Sequence, residues 1–367
     1  MNNILPKKTL RKLKAYRPAV SENKGKDVIR LSVNEGALGP SPLATKAIEE
    51  WSTKKHFFHR YPDQIDENLI EAISNRYNLE KRNIVLGNGS DDLIQMICNA
   101  FLDSGDEAIH TEFGFLVFPQ SIKIAGGKPV CAEDKNYTVS IQNIVEKITN
   151  KTKLIFLANP NNPTGTMVNS NEINELIKNV RSDIILVIDA AYAEYVEHDL
   201  YIDGASLVEK YDNVIMLRTF SKLHGLASLR LGWAYCPLLI SNLLKSIRPA
   251  FSVNALASFA GTASIQDIEF QQQSFLHNKK LRDWTFQQLA QVEIDFIPSV
   301  ANFFLINLNS EKRSDGLLKY LKDRNIYVRG MQPYNLHSFL RVSIGTELEM
   351  NKFIKHTIEF CRKFKSD

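Results

Sequence analysis

The sequence predicts an α/β fold: a mostly parallel central sheet with helices on both faces, followed by a smaller α+β domain. Three observations carry this expectation. Between about residues 83 and 234, short β-branched runs alternate with stretches of helical period. The runs are continuously apolar rather than alternating, the pattern of strands buried on both faces. From about Ser241 the rhythm changes to longer helical segments.

Strands are expected at 83–86, 107–110, 128–132, 153–157, 184–188, 214–217 and 231–234, with a helix over 91–102 after the first of them. A long polar amphipathic helix is expected over 266–292, then strand-like segments 302–307, 327–329 and 339–344 between helices. At 367 residues the chain exceeds what one simple core organises, so we expect an N-terminal arm over 1–28, a large domain over 29–248 and a small one over 249–367. Two domains usually enclose a cleft.

Composition narrows the function classes. Apolar residues at 44 % and charged residues at 23 % are ordinary for a globular protein. The net charge of +4 is small and its basic residues are scattered, which argues against a nucleic-acid partner. The exception is the arm, with Lys7, Lys8, Arg11, Lys12 and Lys14 but no following apolar core of signal-peptide length; a solvated arm and a cytoplasmic location are expected. No apolar run approaches the length of a membrane span, so no membrane association is expected. Cys98, Cys131, Cys236 and Cys361 form no CxxC pair, and the eight histidines show no HxxxH or HExxH spacing, so no metal site is expected.

The chemistry concentrates where strands end. The segment Arg218-Thr-Phe-Ser-Lys-Leu-His-Gly follows an apolar strand and sets Lys222 among small hydroxyl and glycine residues. A desolvated lysine has a lowered pKa and can form an imine with an aldehyde cofactor. Thr219, Ser221 and the planar fork of Arg230 supply donors suited to a phosphate. Asn159-Pro-Asn-Asn-Pro-Thr-Gly165 and Asp189-Ala-Ala-Tyr192 end two other strands, and open parallel sheets bind ligands along that carboxyl rim. Asp189 can pair with a protonated pyridine nitrogen, although it also suits a helix N-cap; Asn162 and Tyr192 can hydrogen-bond a phenolic oxygen on the same ring. Gly87-Asn-Gly-Ser-Asp-Asp92 joins a strand to a helix, and Ser90 and Asp91 stand at the helix N-terminus, where free N–H groups accept an anion. Phe113 is a candidate to stack on the cofactor ring, with core packing as the alternative.

Taken in order, GNGSDD, ANPNNPTG, DAAYAEY, SKLHGLASLRLGW and LRVSIGT resemble the fold-type I pyridoxal-phosphate (PLP) aminotransferases, and most of all the histidinol-phosphate aminotransferase family. The resemblance extends from Tyr16 in LKAYRP through SVNEGALGPSP and RYPD to Gly345-Thr346. It implies pyridoxal 5′-phosphate bound as a Schiff base on Lys222, with Asp189 on the pyridine nitrogen and Asn162 and Tyr192 on the ring oxygen. It also implies a phosphate cup of Ser90, Asp91, Thr219, Ser221 and Arg230, and a homodimer in which Tyr61 reaches the neighbouring subunit's cofactor phosphate. Arg341 matches the arginine that grips the substrate α-carboxylate; Arg329, Tyr16 and Asn34 match residues on the substrate side.

The implied reaction moves an amino group between glutamate/2-oxoglutarate and a phosphorylated amino alcohol/ketone, first of all histidinol phosphate/imidazole-acetol phosphate. Lys222 then serves as the proton carrier. Transamination of a smaller phosphorylated ketone (dihydroxyacetone phosphate to serinol phosphate), of aromatic amino acids, or decarboxylation of a phosphorylated amino acid stay open as alternatives. The sequence departs from the family at Phe113, where tyrosine is common, at Ala190, where glutamate is frequent, and at His224, an aromatic position at which packing is expected.

Overall fold

Runs that are apolar at every position form strands only where both faces of a sheet are covered, and this dictates the architecture. The structure, a computed structural model, describes residues 8–11, 27–53, 58–62 and 65–364. Seven strands make the main sheet: β1 (Ile84–Gly87), β2 (Glu107–Thr111), β3 (Lys128–Ala132), β4 (Thr152–Ala158), β5 (Ile185–Asp189), β6 (Val214–Thr219) and β7 (Gly232–Tyr235). Their order is β1-β7-β6-β5-β4-β2-β3. All neighbouring pairs are parallel except those of β7, which runs antiparallel to both β1 and β6.

Alternation within these runs is present, but both sets of side chains are buried. Ile155, Leu157, Leu186, Ile188 and Met216 belong to the core on one face of the sheet; Leu154, Phe156, Ile185, Val187 and Leu217 belong to the core on the other. Val253, Ala257, Ala260 and Ile265 join the first of these cores, which therefore extends past residue 248.

A third core gathers Leu281, Leu289, Phe304, Ile306, Leu317, Leu340, Val342 and Phe353, together with Ile29 and Leu31 from near the start of the described chain. It covers a second sheet made of β8 (Asp295–Ile297), β9 (Phe303–Asn307), β10 (Arg329–Gly330) and β11 (Phe339–Ser343), in the order β10-β11-β9-β8.

One expectation for this half needs correction. The segment 327–329 is not one strand: Ile326–Tyr327 pairs in parallel with Ile29–Arg30, whereas Arg329–Gly330 pairs antiparallel with β11. The intervening Val328 is buried in the third core. The long helix expected over 266–292 is present as Ile268–Gln291, and the Asp267 carboxylate, which accepts the Phe270 N–H, caps it just after a separate helix, Ala255–Gln266, has ended. Strand β8 carries too few residues to show a period in the sequence. No helix among the described residues is long and apolar enough to cross a membrane.

Candidate active site

Register places the strand ends in one row. Ala158 on β4 pairs with Asp189 on β5, and Asp189 with Leu217 on β6, so the turns leaving these strands emerge side by side. They line a cavity of about 310 Å³ together with Ser32, Asn34, Ser90 and Arg341.

Lys222 sits in this cavity. Its Nζ lies 3.4 Å from the Val33 carbonyl and 5.6 Å from the centre of the Tyr192 ring. Burial, and then the nearby Arg341 cation, lower its pKa to about 8, so an appreciable fraction of the amine is neutral and nucleophilic close to physiological pH. Asp189 also lines the cavity and is only 5 % exposed. Burial pushes its pKa up to about 7 even though Oδ1 accepts the Ala191 N–H at 3.2 Å. Burying a carboxylate this way is unfavourable unless a cation is brought to it. The donor set thus fits a ligand that presents a protonated ring nitrogen to Asp189.

At the other end of the row the glycines decide the geometry. Gly232 on β7 pairs with both Gly87 on β1 and Thr219 on β6. A Cβ at Gly232 would lie 2.5 Å from the Ser90 backbone nitrogen, so glycine lets the N-terminus of helix Ser90–Phe101 press against the strand ends. Gly89, the N-cap, has φ +92°, and a Cβ there would meet Arg230 Nη2 at 2.6 Å. Arg230 donates to the Ala227 carbonyl at 3.1 Å and lies 3.7 Å from the Asp91 carboxylate. The Ser221 N–H donates to Thr219 Oγ1 at 3.1 Å. A helix N-terminus, two hydroxyls and a guanidinium form a cup for a phosphate, a cradle that one added methyl group at position 89 would invade.

The wall opposite comes from the second sheet and from the loop 32–35. Arg341 on β11 donates through Nη1 to Asn162 Oδ1 at 2.6 Å and through Nη2 to the Ser32 carbonyl at 2.9 Å. Occupying Asn162 Oδ1 leaves the amide's Nδ2 as its donor. Asn34 Nδ2 donates to the Tyr192 hydroxyl at 3.1 Å, and burial raises the Tyr192 pKa to about 12, so this phenol stays protonated. Arg329 and Tyr334 complete that side.

Most of the sequence-selected residues therefore meet. Asn34, Ser90, Asp91, Asn162, Asp189, Tyr192, Thr219, Ser221, Lys222, Arg230, Arg329 and Arg341 all line the one cavity. Phe113 does not. Its ring packs 5.9 Å from Tyr137, its N–H donates to Asp134 and its carbonyl accepts from Asn161, and the phenylalanine on the lining is Phe115, two residues on. Tyr61 lies outside the cavity and is 74 % exposed, its ring stacked on Phe251 at 4.4 Å. Tyr16 falls outside the described residues.

His224 is buried against Phe220 and shares a hydrogen bond with Ser264 Oγ, as its packing expectation required. Among the described residues there is no group of His, Cys, Asp and Glu side chains that would hold a metal. Sequence reasoning missed the buried Arg218, which pairs with Glu194 at 2.8 Å and with Asp203, tying the turn after β5 to the end of β6. A charged residue inside an apolar strand was the available signal.

Residues 26–356 match the family description Aminotransferase class I and II. The chain is 39 % identical over 358 residues to the histidinol-phosphate aminotransferase of Paramagnetospirillum magneticum, covering 97 % of this chain and 98 % of that protein. It is 38 % identical to that of Rhodospirillum centenum, with 89 % of each covered. The solved structure of histidinol-phosphate aminotransferase from Sinorhizobium meliloti in complex with pyridoxal-5′-phosphate shares the fold at a TM-score of 0.89, with 24 % identity, 99 % of this chain and 98 % of that chain.

Proposed function

The chain belongs to the class I and II aminotransferases, and we propose that it exchanges an amino group between glutamate/2-oxoglutarate and histidinol phosphate/imidazole-acetol phosphate with pyridoxal 5′-phosphate as cofactor. The full-length likeness to enzymes named for that substrate supports the choice. The observation that carries it in the site is a pair of arginines, Arg329 and Arg341, on the lining opposite Asp189 and Lys222. The α-carboxylate of glutamate in one half-reaction and the phosphate ester in the other give the two cationic forks an anion to hold.

When bound, pyridoxal phosphate supplies an aldehyde and a protonated ring that takes up negative charge from the substrate α-carbon. The protein supplies the rest. Lys222 Nζ would hold the aldehyde carbon and, as a free amine, would carry the substrate α-proton. Asp189 holds the ring nitrogen protonated, which in turn keeps its own carboxylate charged. Asn162 and Tyr192 donate to the ring oxygen, and Ser90, Asp91, Thr219, Ser221 and Arg230 form the phosphate cup. Arg341 takes the α-carboxylate; Arg329, with Asn34 and Tyr16, serves the phosphorylated substrate.

A homodimer with Tyr61 contributed across the interface belongs to the same proposal, supported by an exposed tyrosine that lies outside its own chain's cavity. So does a cytoplasmic location, supported by four free cysteine thiols, as in a reducing compartment. Mixing inactive Tyr61→Ala and Lys222→Ala chains tests the shared site. Recovered activity is expected, since one site of a mixed dimer keeps both native residues; no recovery overturns the sharing. For the substrate, a spectrophotometric panel of amino acceptors with glutamate decides. Imidazole-acetol phosphate is expected to be preferred, and full activity only with a non-phosphorylated aromatic keto acid overturns the assignment.

A further inference from the structure

Ser343 is two residues beyond Arg341 on β11, so both side chains leave the same face of the second sheet. It is 3 % exposed, and its hydroxyl touches a single residue, Asn34, twice: it accepts the Asn34 backbone N–H at 2.9 Å and donates to Asn34 Oδ1 at 3.1 Å. The Asn34 backbone is in the left-handed region at φ +58°, and Asn302 Nδ2 holds it there by donating to the Asn34 and Glu35 carbonyls, each at 3.2 Å.

These contacts fix which way the Asn34 amide faces. The amide oxygen is the one that can accept the Ser343 proton, so the NH₂ group is turned to the Tyr192 hydroxyl at 3.1 Å. Were the amide reversed, Ser343 Oγ would receive two donors, and its own proton would be buried with no acceptor among the described residues, an unfavourable outcome. Because the phenol oxygen accepts from Asn34, the phenol's own proton is directed elsewhere, and the space it faces is the cavity that holds Lys222. The chain of contacts Ser343, Asn34, Tyr192 therefore has one polarity, running from the second sheet to the site.

We propose that Ser343 is a positioning residue that, through the Asn34 amide, keeps Tyr192 a donor toward the cofactor. The strand that delivers the Arg341 clamp thereby also sets the proton direction on Tyr192. This inference rests on the cofactor reading of the site.

A donor to an oxygen anion favours the deprotonated form of the group it serves. Losing the donor direction should therefore raise the pH midpoint of the visible absorbance change of the cofactor-loaded protein. Ser343→Ala is expected to raise that midpoint by about 0.5 to 1 pH unit and to weaken cofactor binding about five-fold in an absorbance titration. Tyr192→Phe should shift the midpoint in the same direction and further, and adding Ser343→Ala to it should shift nothing more, because the two act in one chain. Ser343→Thr, which retains the hydroxyl, should restore the wild-type midpoint, while melting curves report separately on folding. An equal Ser343→Ala shift with and without the Tyr192 hydroxyl, or an unmoved midpoint with Ser343→Ala alone, would overturn the proposal. Wild-type protein that develops no visible absorbance with pyridoxal phosphate would instead overturn the cofactor reading, and this inference with it.

Discussion

Arg329 and Arg341 are direct partners across the antiparallel pair β10 and β11, and both line the cavity that holds Lys222. Opposite residues in an antiparallel pair project to the same face, so the two guanidinium groups are delivered to one wall by backbone register alone. Arg341 donates to Asn162 Oδ1 and to the Ser32 carbonyl, which places it beside the ring-binding groups.

That placement assigns Arg341 to both half-reactions and Arg329 to the phosphorylated substrate. Arg341→Gln should lower kcat/KM for both glutamate and the phosphorylated substrate by about 10- to 100-fold, the loss of a charge-assisted pair. Arg329→Gln should do so for the phosphorylated substrate and leave glutamate within a few-fold. Steady-state kinetics of each half-reaction reads the contrast, and equal losses for both substrates in the Arg329 variant would remove its assignment.

The Lys222 amine, depressed to about 8 by burial and by Arg341, makes cofactor attachment pH-dependent. Only the neutral amine attacks, so the rate at which cofactor-free protein takes up pyridoxal phosphate should rise with pH and level off above about 8. In Arg341→Gln one of the depressing charges is gone, so the rise should move to higher pH. Stopped-flow absorbance measures it; Lys222→Ala should show no visible band, and borohydride should trap nothing on residue 222.

Asp189 gives a stability signature in cofactor-free protein. Its folded-state pKa of about 7 lies above the usual carboxylate value, so between about pH 4 and 7 the folded chain holds a proton that the unfolded chain has released. Stability must fall as pH rises through that window. Asp189→Asn should therefore be more stable than the parent at pH 8, by about 2–4 kcal/mol, with a gap that closes toward pH 4. Urea unfolding across the range checks the sign, and pyridoxal phosphate should reverse the order of the two proteins at pH 8.

Gly89→Ala tests the phosphate cup from the backbone side. The position has φ +92° and its Cβ would crowd Arg230 Nη2 at 2.6 Å. A loss of about 1–3 kcal/mol in stability is expected from the backbone conformation, with a larger proportional loss in pyridoxal-phosphate affinity than in affinity for pyridoxal lacking the phosphate. Equal losses for the two vitamers would show that the cup is elsewhere.

Much of this site was legible because its residues lie at chain positions with a local signature. NPNNPTG, DAAY and SK each follow an apolar run that had to be a strand, and strand ends in a parallel sheet share a rim. Phe113 failed that logic. The sequence places an aromatic just after β2, but which of Phe113 and Phe115 faces the cavity depends on the turn through Gly114, whose N–H bonds back to the Thr111 carbonyl. The strand expected at 327–329 failed for a related reason: three residues carry too short a period to reveal that the chain leaves one sheet and joins another around Val328.

From its sequence alone the protein was fixed as an α/β chain with a lysine, an aspartate and an anion cup at strand ends, because burial pattern and turn chemistry are local properties of neighbouring residues. The tertiary structure decided what depends on residues hundreds of positions apart. Arg341 meets Asn162, Ser343 meets Asn34, and the Lys222 and Asp189 pKa values move toward neutrality. Desolvation and hydrogen-bond polarity exist only once the second sheet closes over the first, and no window of sequence contains both partners.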